Sequence, residues 1–207
     1  MSDHTIPFGT SPEPNGPFAE PIALIHRGGD GFVSFHRKRN GEWEDLASIP
    51  SANLQTILPH IAHELERDSY FSINSYYRPG RDIGPVGFPS AHRKGRDARY
   101  LNACYLDVDV HLDGQSFDVG PLLGVVISAQ DRKSIPPASL VCRSGRGLWL
   151  LWLLHQEQNL QLPPPAFPEQ TCIYDAVQVE LARRVQGTTG AQQPGGICFM
   201  FLRPAFA

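Results

Sequence analysis

Long apolar stretches are missing from this chain. Its longest uninterrupted apolar run, Leu148 to Leu154, is far shorter than the roughly 18 residues that a membrane-spanning helix needs. No signal-peptide pattern is present either, so a cytoplasmic protein with no membrane role is expected. Cysteine is sparse as well. Cys104, Cys142, Cys172 and Cys198 form no Cys-x-x-Cys pair and have no histidine at zinc-ligand spacing. They read as reduced cysteines, with Cys104 and Cys142 inside strand patterns and expected to be buried. Lysine is rare: 15 of the 18 basic residues are arginine, and many basic residues fall between Arg78 and Arg99. A large net charge of either sign is also lacking, at −3. That value does not exclude nucleic acid as a partner, because a local basic patch is enough.

What is present fits one core of ordinary size in 207 residues. Residues 1–20, with Pro7, Pro12, Pro14, Pro17, Gly9 and Gly16, read as a flexible leader. Residues 21–186 form the expected domain, and 187–207 an irregular tail. Ile22 to Arg27 and Phe32 to Arg37 predict two strands around the glycine turn at 28–31. Asn40-Gly41 before Glu42, Trp43 and Glu44 adds a third strand. After Ser51, a candidate N-cap, the spacing of Leu54, Ile57, Leu58, Ile61 and Leu65 predicts a helix, with Pro59 able to kink it. Tyr70 to Tyr77 alternates and reads as a strand. Phe117 to Ala129 reads as helix or mixed structure, Pro136-Pro137 as a linker, and Tyr174 to Val185 as a helix carrying Val177, Leu181 and Val185 on one stripe. The expected class is α+β, a mixed or antiparallel sheet with flanking helices.

The chemistry concentrates in the segment Tyr100 to His111, YLNACYLDVDVH. Asp107 and Asp109 interrupt an apolar strand pattern, and residues i and i+2 of a strand share a face. Leu106, Val108 and Val110 would occupy one face, and Tyr105, Asp107 and Asp109 the other. Two parallel carboxylates about 6–7 Å apart repel each other unless one holds a proton or a cation intervenes. Mg²⁺ or Mn²⁺, with oxygen ligands and a substrate phosphate, resolves the conflict. A turn cap or a water-facing pair is the plainer reading of the tripeptide. Asp113-Gly114 reads as a turn and puts the pair near the strand's C-terminal end, where sites tend to be built.

Upstream, residues 78–99 carry Arg78, Arg81, Arg93, Lys94, Arg96 and Arg99 among prolines and glycines. They read as a long basic loop, either solvated and mobile or a surface for phosphates. Downstream, Ser139 to Leu154 reads as strand, glycine turn, strand. The turn Ser144, Gly145, Arg146 and Gly147 brings together backbone N–H groups, a hydroxyl and a guanidinium, suitable for a triphosphate and also ordinary in a hairpin.

Taken in this order, the acidic strand and the Ser-Gly-x-Gly hairpin resemble the archaeo-eukaryotic primase superfamily, particularly the RepB-type and primase–polymerase domains of phages and plasmids. Residues 65–155 carry the resemblance, which includes Asp68 to Ser75 as the strand before the basic loop. It implies a split RNA-recognition-like catalytic core. It implies Asp107 and Asp109 as catalytic metal ligands, and Ser144, Gly145, Arg146, Gly147 and Trp149 at the nucleotide. The basic loop would then follow a single-stranded DNA template, and the protein would make primers from nucleoside triphosphates, with a replicative helicase as a possible partner.

Two positions depart from the family pattern. Trp149 stands where a nucleotide-contacting histidine is usual; its ring can stack on a base and its N–H can donate once. His111 and His155 are nearby in sequence as candidate substitutes, an ordinary surface histidine being the plainer reading of each. Carboxylates also stop at Glu180, leaving Asp175 and Glu180 as the only later candidates for a third metal ligand. The low-charge tail is expected to reflect an altered reading frame or a truncation. A non-catalytic single-stranded nucleic-acid-binding protein and a metal-dependent nuclease therefore remain as alternatives.

Overall fold

Asn40 and Gly41, at φ 52° and 85°, turn the chain sharply enough to pair β1 (Phe32–Arg39) with β2 (Glu42–Pro50) in an antiparallel hairpin. This hairpin begins the first of two sheets. The computed structural model describes residues 19–65, 69–92, 94–110, 120–143, 147–189 and 197–199, with the backbone course alone at 19, 109–110, 143, 147, 186–189 and 197–199. The leader up to residue 18, Asp68, Arg93, His111, the Asp113-Gly114 turn, Ser144, Gly145, Arg146 and most of the tail lie outside the described residues.

Ile22 to Arg27 is not the expected strand. Ala19–Ile25 forms helix α1, with Pro21 in its first turn, where its missing N–H costs nothing. Ile22 and Ile25, one helical turn apart, are both buried. So short an apolar run carries too little periodicity to separate helix from strand. Ser51 does not cap a helix by its side chain; its Oγ donates to the Gly31 carbonyl at 2.9 Å. A 3₁₀ turn at Ser51–Asn53 leads into α2 (Leu54–Ile61), and a second at Ala62–Leu65 follows it. Pro59 lies inside α2 and withholds one backbone hydrogen bond just before the helix tightens.

The Tyr70 to Tyr77 run divides into β3 (Ser69–Phe71) and β4 (Ser75–Tyr76), both paired with β1. β4 also pairs with β5 (Ala98–Tyr100), giving the order β2-β1-β4-β5 with β3 on β1. Leu101 and Asn102 carry the chain into the second sheet, whose order is β7-β8-β6-β9. Here β6 is Ala103–Val110, β7 Leu140–Arg143, β8 Gly147–Leu153 and β9 Ile197–Phe199. Every strand pairing among the described residues is antiparallel. Helices α3 (Gly120–Asp131) and α4 (Pro168–Thr189) complete the α+β fold. Helix α4 is longer than the stripe from Val177 to Val185 suggests, and β9 is a strand within the stretch read as an irregular tail.

Alternation decides what each face covers. Cys104, Leu106 and Val108 of β6 and Leu148, Leu150 and Trp152 of β8 pack against Leu122 and Val126 of α3 and Leu181 and Val185 of α4. In the first sheet, Val33 and Phe35 of β1 and Ile49 of β2 pack with Leu54, Leu58 and Ile61 of α2. The opposite face of that hairpin is polar, and the basic loop covers it. Ser34 Oγ donates to the His92 carbonyl at 2.8 Å and accepts from the His92 N–H at 2.9 Å. Ser48 Oγ donates to the Ser90 carbonyl at 2.7 Å. Gly84 passes so close to β2 that a Cβ there would lie 2.1 Å from the Leu46 carbonyl oxygen. The loop is therefore a packed layer on the sheet as well as a carrier of positive charge.

Candidate metal and nucleotide site

β6 forms because its apolar residues alternate, and the same alternation puts its polar residues on the side away from α3 and α4. Cys104, Leu106 and Val108 are buried, whereas Tyr105 and Asp107 are half-buried on the other face. Burial, then the Asp107 charge and Tyr76, push the Tyr105 phenol above its usual range, which puts all three groups within electrostatic reach. On the core side, burial pushes the Cys104 thiol up to about 12, so it is an inert packing group.

The pairing of β6 with β8 sets Asp107 opposite Trp149, Tyr105 opposite Leu151 and Asp109 opposite Gly147. Asp109 also pairs with Cys198 of β9. Among the described residues, no strand pairs with the other edge of the N-terminal half of β6, and α4 covers it: Tyr174 Oη donates to the Ala103 carbonyl at 3.1 Å, and the Tyr105 N–H donates to Gln178 Oε1 at 3.0 Å. Trp149 meets the ring of Phe71 edge-on, with centroids 5.9 Å apart. With Tyr70, Ile73, Tyr105 and Leu151 these rings line a groove between the two sheets.

No family model, curated protein or solved structure matches the chain. The site must therefore be read from its own geometry.

Asp107, the backbone of Asp109, Gly147 and Trp149 come together on two neighbouring strands. Ser144, Gly145 and Arg146 lie outside the described residues. A carboxylate oxygen set suits Mg²⁺ or Mn²⁺, and Asp107, half-buried on the sheet face that α3 and α4 leave open, fits as one ligand; the Asp109 side chain is outside the described atoms. Among the described residues no three His, Cys, Asp or Glu side chains cluster as a metal site. Asp175 is exposed on α4. Glu180 is engaged by Arg183 and Arg184 at 2.7 Å, and those hydrogen bonds hold its carboxyl down at about 2. His155 lies beyond the Leu153 end of β8, whereas Asp109 sits opposite the Gly147 end.

The basic residues divide. Arg78 makes two hydrogen bonds to Asp97, at 3.0 and 2.9 Å, and Asp97 also meets His92 Nε2 at 2.8 Å. The Arg78 contact, with help from His92, holds the Asp97 carboxyl below its usual range. Arg99 pairs with Asp30 and lies 5.1 Å from the Tyr77 ring and 5.5 Å from the Tyr100 ring. Arg81, Lys94 and Arg96 are exposed; Arg93 is outside the described residues. The loop and the acidic strand approach each other through Tyr76, which is edge-on to His92 at 5.4 Å and within electrostatic reach of Tyr105.

Sequence reasoning missed Tyr77, half-exposed beside Arg99, and the groove residues Tyr70, Phe71 and Ile73. The aromatic alternation of Tyr70 to Tyr77 was the available signal. It gives no indication that β3, bonded to the first sheet, faces Trp149 of the second.

Proposed function

We propose that this chain is a metal-dependent nucleotidyltransferase of the primase–polymerase kind, making primers on single-stranded DNA in the replication of a mobile element. One observation carries the reading: the register of β6 and β8 sets Asp107 against Trp149 and Asp109 against Gly147. The two segments that suggest metal–phosphate chemistry are thus next to each other in space. The antiparallel four-stranded sheet, with helices packed on one face, is compatible with a split RNA-recognition-like core.

In this reading Asp107 and Asp109 hold Mg²⁺ or Mn²⁺, which supplies charge neutralisation at the triphosphate and activation of a 3′-hydroxyl. Nucleotidyl transfer depends mainly on positioning and electrostatics. By the resemblance, Ser144, Gly145, Arg146 and Gly147 would supply the donors for the phosphates. Arg81, Lys94 and Arg96 contact the template backbone, and a replicative helicase would expose that template. The protein would work in the cytoplasm.

Calorimetry with a nucleoside triphosphate and Mn²⁺ tests the reading directly. Binding should require the metal and be lost in the Asp107→Asn/Asp109→Asn double variant. Equal binding by both proteins would reject the metal assignment. A second reading, a non-catalytic single-strand-binding protein, draws on Trp149 at the usual histidine position and on Glu180 being tied to two arginines. It predicts template binding with no nucleotide incorporation in any metal.

A further inference from the structure

Apart from Trp149, the residues of the aromatic groove beside Asp107 have no role in the reading above. Tyr70, Phe71, Ile73, Tyr105 and Trp149, all half-buried, and the buried Leu151 line it. Its walls come from both sheets: Tyr70 and Phe71 belong to β3, Tyr105 to β6, and Trp149 and Leu151 to β8. Trp43, nearly half exposed at 45%, extends the aromatic surface outward by packing edge-on to Tyr70 at 4.8 Å. At the other end, Trp149 and Tyr105 adjoin Asp107, one across the strand pair and the other two residues along it. The surface thus runs from partly exposed rings to a carboxylate.

We propose that this groove receives the base of the nucleotide whose phosphates are held at Asp107 and Asp109. The charge pattern selects that occupant. A purely apolar ligand would leave the carboxylate end unused, and a simple phosphate would leave the rings unused. A base joined through a sugar to metal-bound phosphates uses both. The enclosed space is only about 20 Å³, room for about one water. The base therefore lies across the groove with one face on the rings, instead of entering a slot. Such stacking tolerates any base, because every base has a π-face. Tyr70 and Trp149 become contact residues for the base, and Tyr105 sits at the point where base and sugar meet. This inference rests on the metal–triphosphate reading for the phosphate end alone.

The test compares thymidine triphosphate with inorganic tripolyphosphate, each with Mn²⁺, by calorimetry on the full chain. The nucleotide should bind tighter by about 5- to 150-fold, the range that one base–aromatic stack supplies. Tyr70→Ala and Trp149→Leu should each lower nucleotide affinity more than tripolyphosphate affinity, shrinking that preference toward unity; circular dichroism checks that both variants fold. Equal affinity of the two ligands for the parent protein would overturn the groove and leave the metal pair standing. Nucleotide binding that survives Asp107→Asn/Asp109→Asn and falls in Trp149→Leu would retain the groove and dismiss the metal pair. Absence of binding by either ligand would overturn both.

Discussion

His26 follows α1 and is fully buried, its Nε2 donating to the Ser72 carbonyl at 2.9 Å and its Nδ1 3.2 Å from Ser75 Oγ. Burial pulls its pKa down to about 3, with the Ser72 hydrogen bond opposing part of the effect. The folded chain thus keeps His26 neutral where the unfolded chain begins to protonate it, near pH 6.5. Stability present at neutral pH should be lost as pH falls from about 6.5 toward 3, by up to about 1.4 kcal/mol per unit. Urea titrations between pH 7.5 and 4.5 measure it. His26→Gln, which cannot titrate, should be less stable at pH 7.5 and show a shallower pH dependence; an unchanged slope would mean that other groups govern acid sensitivity. Asp107 behaves differently, because its half-buried side chain lies on the face of β6 away from the core formed with α3 and α4. Asp107→Asn should keep stability within about 1 kcal/mol of the parent and abolish primer synthesis on a single-stranded template. A variant that still extends primers would remove Asp107 from the chemistry.

At the scale of elements, β6 shows how a strand that bears a candidate site is kept from pairing with a foreign strand. β8 and β9 flank it near Asp109, while Tyr174 and Gln178 of α4 occupy the remaining edge near Ala103. Gln178→Ala would leave the Tyr105 N–H without its acceptor. It should cost about 1–3 kcal/mol, measured by denaturant unfolding, and a change within error would mean that water replaces the amide. Elements of this kind were partly legible in the sequence. The Asn40-Gly41 hairpin, the β6 alternation from Cys104 to Val108 and the paired strands β7 and β8 follow from local chemistry, and the structure has them. Helix α1 was not legible, since so short an apolar run does not separate a helix from a strand buried on both faces. The anchoring of the basic loop was hidden as well. Ser34 and Ser48 look like ordinary solvent-facing strand positions until the loop carbonyls of His92 and Ser90 arrive from some 40–60 residues away. The groove needs three strands from two sheets, and no local pattern encodes such a meeting.

The whole molecule is joined where the chain passes from one sheet to the other. Asn102, between β5 and β6, is buried and uses nearly every polar atom it has. Its N–H donates to Asn74 Oδ1 at 3.0 Å, its Nδ2 donates to the Ile25 carbonyl at 3.1 Å, and its Oδ1 accepts from the Ser75 N–H at 3.0 Å and from Ser75 Oγ at 2.9 Å. Its own carbonyl accepts from the Leu154 N–H at 2.9 Å. One side chain therefore ties α1, the first sheet and the start of the acidic strand together. Because Tyr70 and Phe71 belong to one sheet and Trp149 to the other, the groove keeps its shape only while this junction holds. Asn102→Ala would strand the Ile25 carbonyl and the Ser75 N–H in a dry interior, each costing about 1–3 kcal/mol. We expect a loss of about 2–4 kcal/mol by urea denaturation, among the larger single-residue effects. Below the unfolding transition, amide exchange should quicken in β3 and β4 before it does in β6 and β8, whose core against α3 and α4 is separate. Uniform quickening across both sheets would show that they open as one unit, and that the polar junction is only one contact among many.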